Sequence, residues 1–165
     1  MLYLTTKPGK GSPDVERALV AADGYLFLGL PDEAWSELQA IPPDDQWSAD
    51  VLRARIRILL HLKRWKQAEE LSTEGNGLYP EENEFMVQRA FALKQQERPT
   101  EAVQVIRDAP EWIRATGILH YNLACYEAQM GDIGTARQCI RRAIEINASF
   151  KKNAKRDPDL QRLWN

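Results

Sequence analysis

The sequence predicts an all-α protein made of about four helix-turn-helix pairs, and three regularities support that prediction. Alanine recurs at a fixed interval of 34 residues, as Ala34, Ala68, Ala102 and Ala136. A break in the apolar pattern precedes each alanine by four or five residues, at Gly29, Lys63-Arg64, Glu97-Arg98 and Gly131-Asp132. Apolar residues at helical spacing lie on both sides of each break, as expected for two amphipathic helices joined by a turn.

Length and composition fit one soluble domain or an elongated array of repeats. The 165 residues weigh 18.9 kDa, and 44% of them are apolar, which is enough to build a buried core. The net charge of −2 is too close to zero to favour nucleic acid as a partner. No window approaches the roughly 20 apolar residues that span a bilayer, so no membrane contact is expected.

Two features favour a cytoplasmic location. The N-terminus lacks the basic stretch followed by an apolar stretch that marks a secretory leader. Cys125 and Cys139 are the only cysteines, and they form neither a disulfide framework nor a Cys-x-x-Cys pair. Two free thiols suit a reducing compartment.

The fourth helix pair carries the clearest local signals. Its first apolar stripe ends at Gly131-Asp132, and a second stripe runs from Ala136 to Ile146. Glycine adopts a left-handed helix end without a Cβ penalty, and aspartate can cap the helix that follows. The spacing therefore predicts a helix on each side of residues 131–132.

The repeating unit resembles the tetratricopeptide repeat, a helix-turn-helix motif of 34 residues with small residues at characteristic positions. Besides the four alanines, two further sets stand at such positions: Ala22, Ile56, Ala90 and Ala124, and Ile41, Gly75, Ala109 and Ala143. Small side chains suit these positions because larger ones would push crossing helices apart. The resemblance covers about residues 15–148 and implies a right-handed superhelical solenoid closed by a C-terminal capping helix.

This resemblance divides the chain into six segments. A flexible arm is expected at residues 1–13, and four repeats are expected at residues 14–47, 48–82, 83–114 and 115–148. Residues 149–165 are expected to cap the array, with a short final turn that begins at Asp157-Pro158 and packs Leu160, Leu163 and Trp164 against it. This ending resembles the closing segment of many bacterial tetratricopeptide proteins.

Prolines predict an alternation in the length of the second helices. Pro31 and Pro99 lie where a second helix begins, and Pro42 and Pro110 lie where it cannot continue. Repeats one and three should therefore have short second helices, near residues 31–41 and 99–109, followed by loops at residues 42–47 and 110–111. Repeats two and four should keep full-length second helices.

No group of residues has the pattern of a catalytic or metal site. His61 and His120 have no Cys, Asp or Glu nearby at the spacing of metal ligands, and the two cysteines fit buried apolar positions. The segment Gly9-Lys10-Gly11-Ser12 lacks the flanking Gly and the Ser or Thr of a phosphate-binding loop. We therefore expect no enzymatic activity, no cofactor and no metal.

The resemblance also implies a binding surface, because tetratricopeptide proteins present their first helices to an extended peptide or a partner helix. Transferred to this sequence, the surface comprises Arg53, Arg57, His61, Gln88, Phe91, Gln95, Tyr121, Asn122, Cys125 and Gln129. Guanidinium, amide and aromatic groups suit a peptide backbone with one or two acidic side chains. The residues that grip the C-terminal carboxylate of heat-shock chaperones are absent, since Leu19, Asp23 and Ala54 occupy those places.

The leading functional hypothesis is a non-catalytic scaffold or adaptor that binds a peptide or partner protein in a concave groove. One alternative is a small chaperone for a secreted or assembling client protein. Another is self-association into a homo-oligomer, or contact through the C-terminal segment. In residues 137–165, eight Lys and Arg residues outnumber three Asp and Glu residues, which gives this segment a basic character.

Overall fold

The computed structural model of the protein describes residues 12–164, and these contain ten α-helices, two 3₁₀ turns and no β-strand. The helices are α1 (Pro13–Phe27), α2 (Pro31–Gln39), α3 (Ala49–His61), α4 (Trp65–Leu78), α5 (Asn83–Gln95), α6 (Pro99–Arg107), α7 (Glu111–Arg114), α8 (Gly117–Met130), α9 (Ile133–Ile146) and α10 (Phe150–Ala154). The predicted all-α fold class is confirmed. Most of the predicted N-terminal arm, residues 1–11, lies outside the described residues, and Pro13 already begins α1.

The helices pack in consecutive pairs: α1 with α2, α3 with α4, α5 with α6, and α8 with α9. The chain divides into two compact units between Pro80 and Glu81, so the first unit contains α1–α4 and the second contains α5–α10. Within the first unit α3 also contacts α1 and α2, and within the second α8 contacts α6. Each unit therefore joins two helix pairs of the predicted kind.

The turn inside every pair has the same backbone geometry. One residue of each turn lies in the left-handed region, and the four are 34 residues apart: Gly29 (φ 75°), Lys63 (φ 57°), Glu97 (φ 60°) and Gly131 (φ 89°). The residue that follows donates its N–H to the carbonyl five residues back, over 2.9 Å in the first turn and 3.0 Å in the last. This is the Schellman helix end, which satisfies carbonyls that the final helical turn leaves free. Every break predicted from the sequence is thus a helix end.

The prolines set the helix lengths as predicted. Pro31 and Pro99 are the first residues of α2 and α6, which have nine residues each, whereas α4 and α9 have fourteen each. The two segments predicted as loops contain short regular structure, however. A 3₁₀ turn spans Pro43–Asp45, and Glu111 begins the four-residue helix α7. Proline ends one helix in these places but is well suited to begin another.

The residues at all three sets of repeat positions are buried. Ala34, Ala68, Ala102 and Ala136 are 0% exposed, and the other two sets of repeat positions are buried as well. The 34-residue interval therefore marks buried positions of the helix pairs, where a small side chain lets packed helices approach closely.

The C-terminal segment closes the second unit with the short helix α10 and with the final turn that the sequence predicted. The turn spans Pro158–Leu163, and the Asp157 side chain caps it by accepting the N–H of Asp159 at 3.0 Å. Leu160 and Leu163 are buried in the core of this unit, as predicted. Trp164 is only partly packed: it is 45% exposed, and its indole N–H donates to the Ala154 carbonyl at 3.1 Å.

Candidate partner-binding surfaces

In the first unit, the two predicted arginines lie on one face of α3, and each forms an ion pair with a carboxylate. Arg57 pairs with Asp23 of α1, and Arg53 pairs with Asp50 in the first turn of α3. The arginine side chains are 20% and 11% exposed, respectively. The like charges of Arg53 and Arg57, four residues apart on α3, are therefore balanced by carboxylates of the same unit.

His61 lies one turn beyond Arg57 at the end of α3, and it is exposed. The Asp23 side chain is 51% exposed, so solvent reaches the ion pair with Arg57. We call Asp23, Arg53, Arg57 and His61 the α3 surface. It presents both signs of charge, and its central pair is open to exchange with the charged groups of another molecule.

In the second unit, the predicted residues of α5 do not share one environment. Gln88 is only 2% exposed, and its side-chain amide donates to the Glu84 carboxylate at 3.3 Å. It therefore lies on the core side of α5, not on a binding face. Phe91 and Gln95 are partly exposed.

On α8, two predicted residues bind the C-terminal segment of the same chain. The Tyr121 hydroxyl donates to the Asp157 carboxylate at 2.7 Å, and the Gln129 amide donates to the Asp159 carboxylate at 3.4 Å. Asn122 is partly exposed, and the Cys125 sulfur lies 3.8 Å from the same Asp157 oxygen. We call residues 157–164 the C-terminal turn. Part of the predicted binding face is thus covered by this turn.

Lys94 of α5 is a candidate binding residue that the sequence did not identify. Its ammonium group lies 2.6 Å from the Asp159 carboxylate, and its side chain is 15% exposed. Lys94 follows Phe91 by three residues, so both lie on neighbouring positions of one helical face. The spacing between Phe91 and Lys94 could have identified Lys94 from the sequence. We call Lys94, Tyr121 and Gln129 the carboxylate-binding set.

The environment favours the protonated forms of the Tyr121 hydroxyl and the Cys125 thiol of α8. Burial raises the pKa of the Cys125 thiol and of the Tyr121 hydroxyl, and the nearby Asp157 carboxylate raises both further. Burial also raises the pKa of Cys139. Both cysteines are buried free thiols, and a protonated thiol is neither a strong nucleophile nor a metal ligand.

One cluster of potential metal ligands occurs among the described residues. Ligand atoms of Cys125, Asp157 and Asp159 lie within 4.8 Å of one another. The carboxylates already bind the Tyr121 hydroxyl and the Lys94 ammonium group, and the thiol pKa is raised. This donor set is organised for hydrogen bonds within the protein, so we assign no metal to it.

The exposed positions of the C-terminal region are rich in basic residues. Eight exposed cationic residues contribute to it: Arg137, Arg141, Arg142, Lys151, Lys152, Lys155, Arg156 and Arg162. The acidic residues of the same region are mostly engaged elsewhere, since Asp157 and Asp159 contact α5 and α8. Glu145 lies beside Arg142 at 3.2 Å.

Within residues 12–164, no helix combines the length and the apolar content needed to cross a bilayer. This agrees with the hydropathy of the sequence.

Comparisons with known proteins support the repeat architecture. Residues 119–150 match the family model of the tetratricopeptide repeat. No curated protein matches the chain by sequence. Among solved structures, MamA from Desulfovibrio magneticus RS-1 is similar, with 14% identity and a TM-score of 0.69 over 94% of this chain and 91% of that one.

Two further solved structures have the same architecture. MamA MSR-1 has 20% identity and a TM-score of 0.65, over 86% of this chain and 82% of that one. PilF of Pseudomonas aeruginosa has 17% identity and a TM-score of 0.67, over 93% of this chain and 82% of that one. At these identities the likeness concerns the fold. The protein therefore contains a tetratricopeptide repeat at residues 119–150 and has the fold of tetratricopeptide repeat proteins.

Proposed function

We propose that this protein is a non-catalytic scaffold that binds an acidic peptide or protein segment on the exposed faces of its first helices. The observation that carries the proposal is the contact between α8 and the C-terminal turn. There, Tyr121 and Gln129 hold two aspartates of an irregular chain segment by side-chain hydrogen bonds. A face that holds such a segment from its own chain has the groups needed to hold one from another protein.

The α3 surface supports the same function in the first unit. Arg57 is paired with a half-exposed Asp23, so an incoming carboxylate can share the guanidinium without leaving a buried charge unpaired. Guanidinium groups bind carboxylates through two parallel hydrogen bonds, which favours an acidic partner over a neutral one. The protonated, buried thiols of α8 and α9 support a role in binding over one in catalysis.

Replacement of one arginine tests this function. We expect Arg57→Gln to reduce capture of the partner about tenfold or more, since a hydrogen bond to a charged group contributes roughly 1.5–3 kcal/mol. The measurement is affinity capture from lysate of the source organism by the tagged full chain, with quantitative mass spectrometry of the captured proteins.

Arg17→Gln is the matched control. Arg17 is in the same unit and pairs with Asp14, but its side chain is 81% exposed and lies outside the α3 surface. The Arg17→Gln variant loses the same charge as Arg57→Gln, but outside the α3 surface. Its capture of the partner should therefore match that of the wild type. Equal capture by Arg57→Gln and Arg17→Gln, with both variants folded by circular dichroism, would remove the α3 surface from the proposal.

A further inference from the structure

We propose that the carboxylate-binding set is a docking site for a partner segment with two acidic residues followed by leucine, and that the C-terminal turn competes for this site. The inference rests on the proposed function, which it refines by naming the partner chemistry and an internal competitor. It concerns only contacts within the second unit.

The chemistry of the contact supports this proposal. Lys94 and Gln129 bind Asp159, while the Tyr121 hydroxyl binds Asp157. An ammonium group, a phenol and an amide therefore converge on two carboxylates that are two residues apart in the sequence. All three groups can donate hydrogen bonds, and the raised pKa of Tyr121 keeps its hydroxyl protonated. The set is complementary to a pair of acidic side chains.

The periodicity of the C-terminal turn specifies the segment that would compete with it. In a 3₁₀ helix, side chains three residues apart point in the same direction. Asp157, Leu160 and Leu163 follow this interval, and the turn packs against α8 and α9. Leu160 and Leu163 are buried in the core of the unit. A competing segment therefore needs the same order, with an acidic residue followed by leucines three and six positions later.

The polar contacts of the C-terminal turn exceed what a purely structural cap requires. The two leucines are sufficient to cover apolar surface at the end of an array. The aspartates, by contrast, are held by three separate polar side chains, and the side chains of Lys94 and Asp159 keep 15% and 28% of their surface exposed. These polar contacts lie at the edge of the core, so they can exchange with those of a competing segment, whose leucines then take the places of Leu160 and Leu163.

Covalent attachment explains how the turn regulates the site. A tethered segment has an effective concentration in the millimolar range for a short connection, so a free segment of equal intrinsic affinity binds weakly. Weakening the turn should therefore strengthen binding of a partner segment. The site would be available only to a partner that outcompetes the turn.

The test is direct binding of a fluorescein-labelled peptide with the sequence of residues 157–164, measured by fluorescence anisotropy on the full chain. We expect the variant Asp157→Asn/Asp159→Asn to bind the peptide at least about tenfold more tightly than the wild type does, because its own turn competes less. Adding Lys94→Gln to that variant should reverse the gain in affinity for the peptide. A peptide with asparagine in place of both aspartates should not bind.

Two controls keep the result interpretable. Asp108→Asn/Glu145→Gln changes the same number of charges in the same unit, at exposed carboxylates that bond to Gln104 and Arg142, and it should bind like the wild type. A second releasing variant, Leu160→Ala, removes an apolar anchor of the turn. This variant weakens the turn even if the leucines, and not the aspartates, hold it in place.

The proposal is overturned if both releasing variants are folded by circular dichroism and neither binds the peptide more tightly than the wild type. It is also overturned if light scattering shows that the variants lose a dimer that the wild type forms, since the occupant would then be the turn of a second copy. Neither result depends on capture by the α3 surface. A negative result would remove the docking site of the second unit, and partner capture through the α3 surface, tested by Arg57→Gln, would then decide the proposed function.

Discussion

The alanines at 34-residue intervals show how the size of one side chain determines the spacing of helices. Ala34, Ala68, Ala102 and Ala136 have no exposed surface, and protein cores have almost no spare volume. A methyl group is the largest side chain that these contacts admit without displacing a neighbouring helix. For this reason the alanines could be identified from the sequence alone.

Enlarging one of these alanines should destabilise the protein. We expect Ala136→Leu to lower the free energy of unfolding by about 1–3 kcal/mol, because extra methylene groups force neighbours out of their preferred rotamers. The control is Ala148→Leu, at an exposed position of the same unit, which should change stability by less than about 0.5 kcal/mol. Urea unfolding of both variants measures the effect, and similar losses would contradict the packing argument.

At the scale of the helix pair, the recurring element is the left-handed turn. Two of the four turns use glycine at this position, whereas Lys63 and Glu97 adopt the same conformation with a side chain. The left-handed conformation costs a residue with a Cβ atom roughly 1–2 kcal/mol. Lys63 and Glu97 are therefore places where the fold constrains the backbone against the local preference of the residue.

Glycine in such a turn should be more favourable than lysine. We expect Lys63→Gly to raise the free energy of unfolding by about 0.5–1 kcal/mol, since relief of the strained φ exceeds the added flexibility of the unfolded chain. Lys66→Gly, three residues later in the first turn of α4, should instead lower it by a similar amount. Opposite shifts of the urea midpoint would confirm the argument, and a loss of stability in both variants would refute it.

At the scale of the whole chain, the second unit contains buried ionisable groups that should make the protein sensitive to alkaline pH. Burial raises the pKa of Tyr121, Cys125, Tyr126 and Cys139. Each group stays protonated in the folded state at a pH where it ionises in the unfolded chain. The unfolded state then binds fewer protons, so stability falls as the pH rises above the ordinary pKa values of about 8.5 to 10.

Urea unfolding at about pH 8 and pH 10.5 measures this loss of stability at alkaline pH. A fully shielded group such as Tyr126, which is 2% exposed, contributes up to about 1.4 kcal/mol per pH unit above its unfolded-state pKa. Tyr121 is partly exposed and should contribute less. A Tyr126→Phe variant should lose less stability than the wild type over the same range, and an identical loss would contradict this assignment.

The sequence alone predicted the helix pairs, the helix ends and the short second helices, because these depend on local chemistry. Glycine and aspartate end and begin helices, proline limits them, and small residues mark close contacts wherever the chain is placed. The same reasoning predicted that Leu160 and Leu163 are buried, since an apolar residue near the end of an array needs a surface to cover.

Tertiary structure decided which side chains of the first helices are available to a partner. Spacing placed Tyr121 and Gln129 on the predicted binding face. Only the fold shows that Asp157 and Asp159, which follow them by 36 and 30 residues, bind there, and that Asp159 also pairs with Lys94. Gln88 fits the repeat pattern yet points into the core. The sequence of one helix shows which side chains share a face of that helix, whereas the residues that contact those side chains come from distant parts of the chain. Those contacts depend on long-range packing, which the local sequence does not encode.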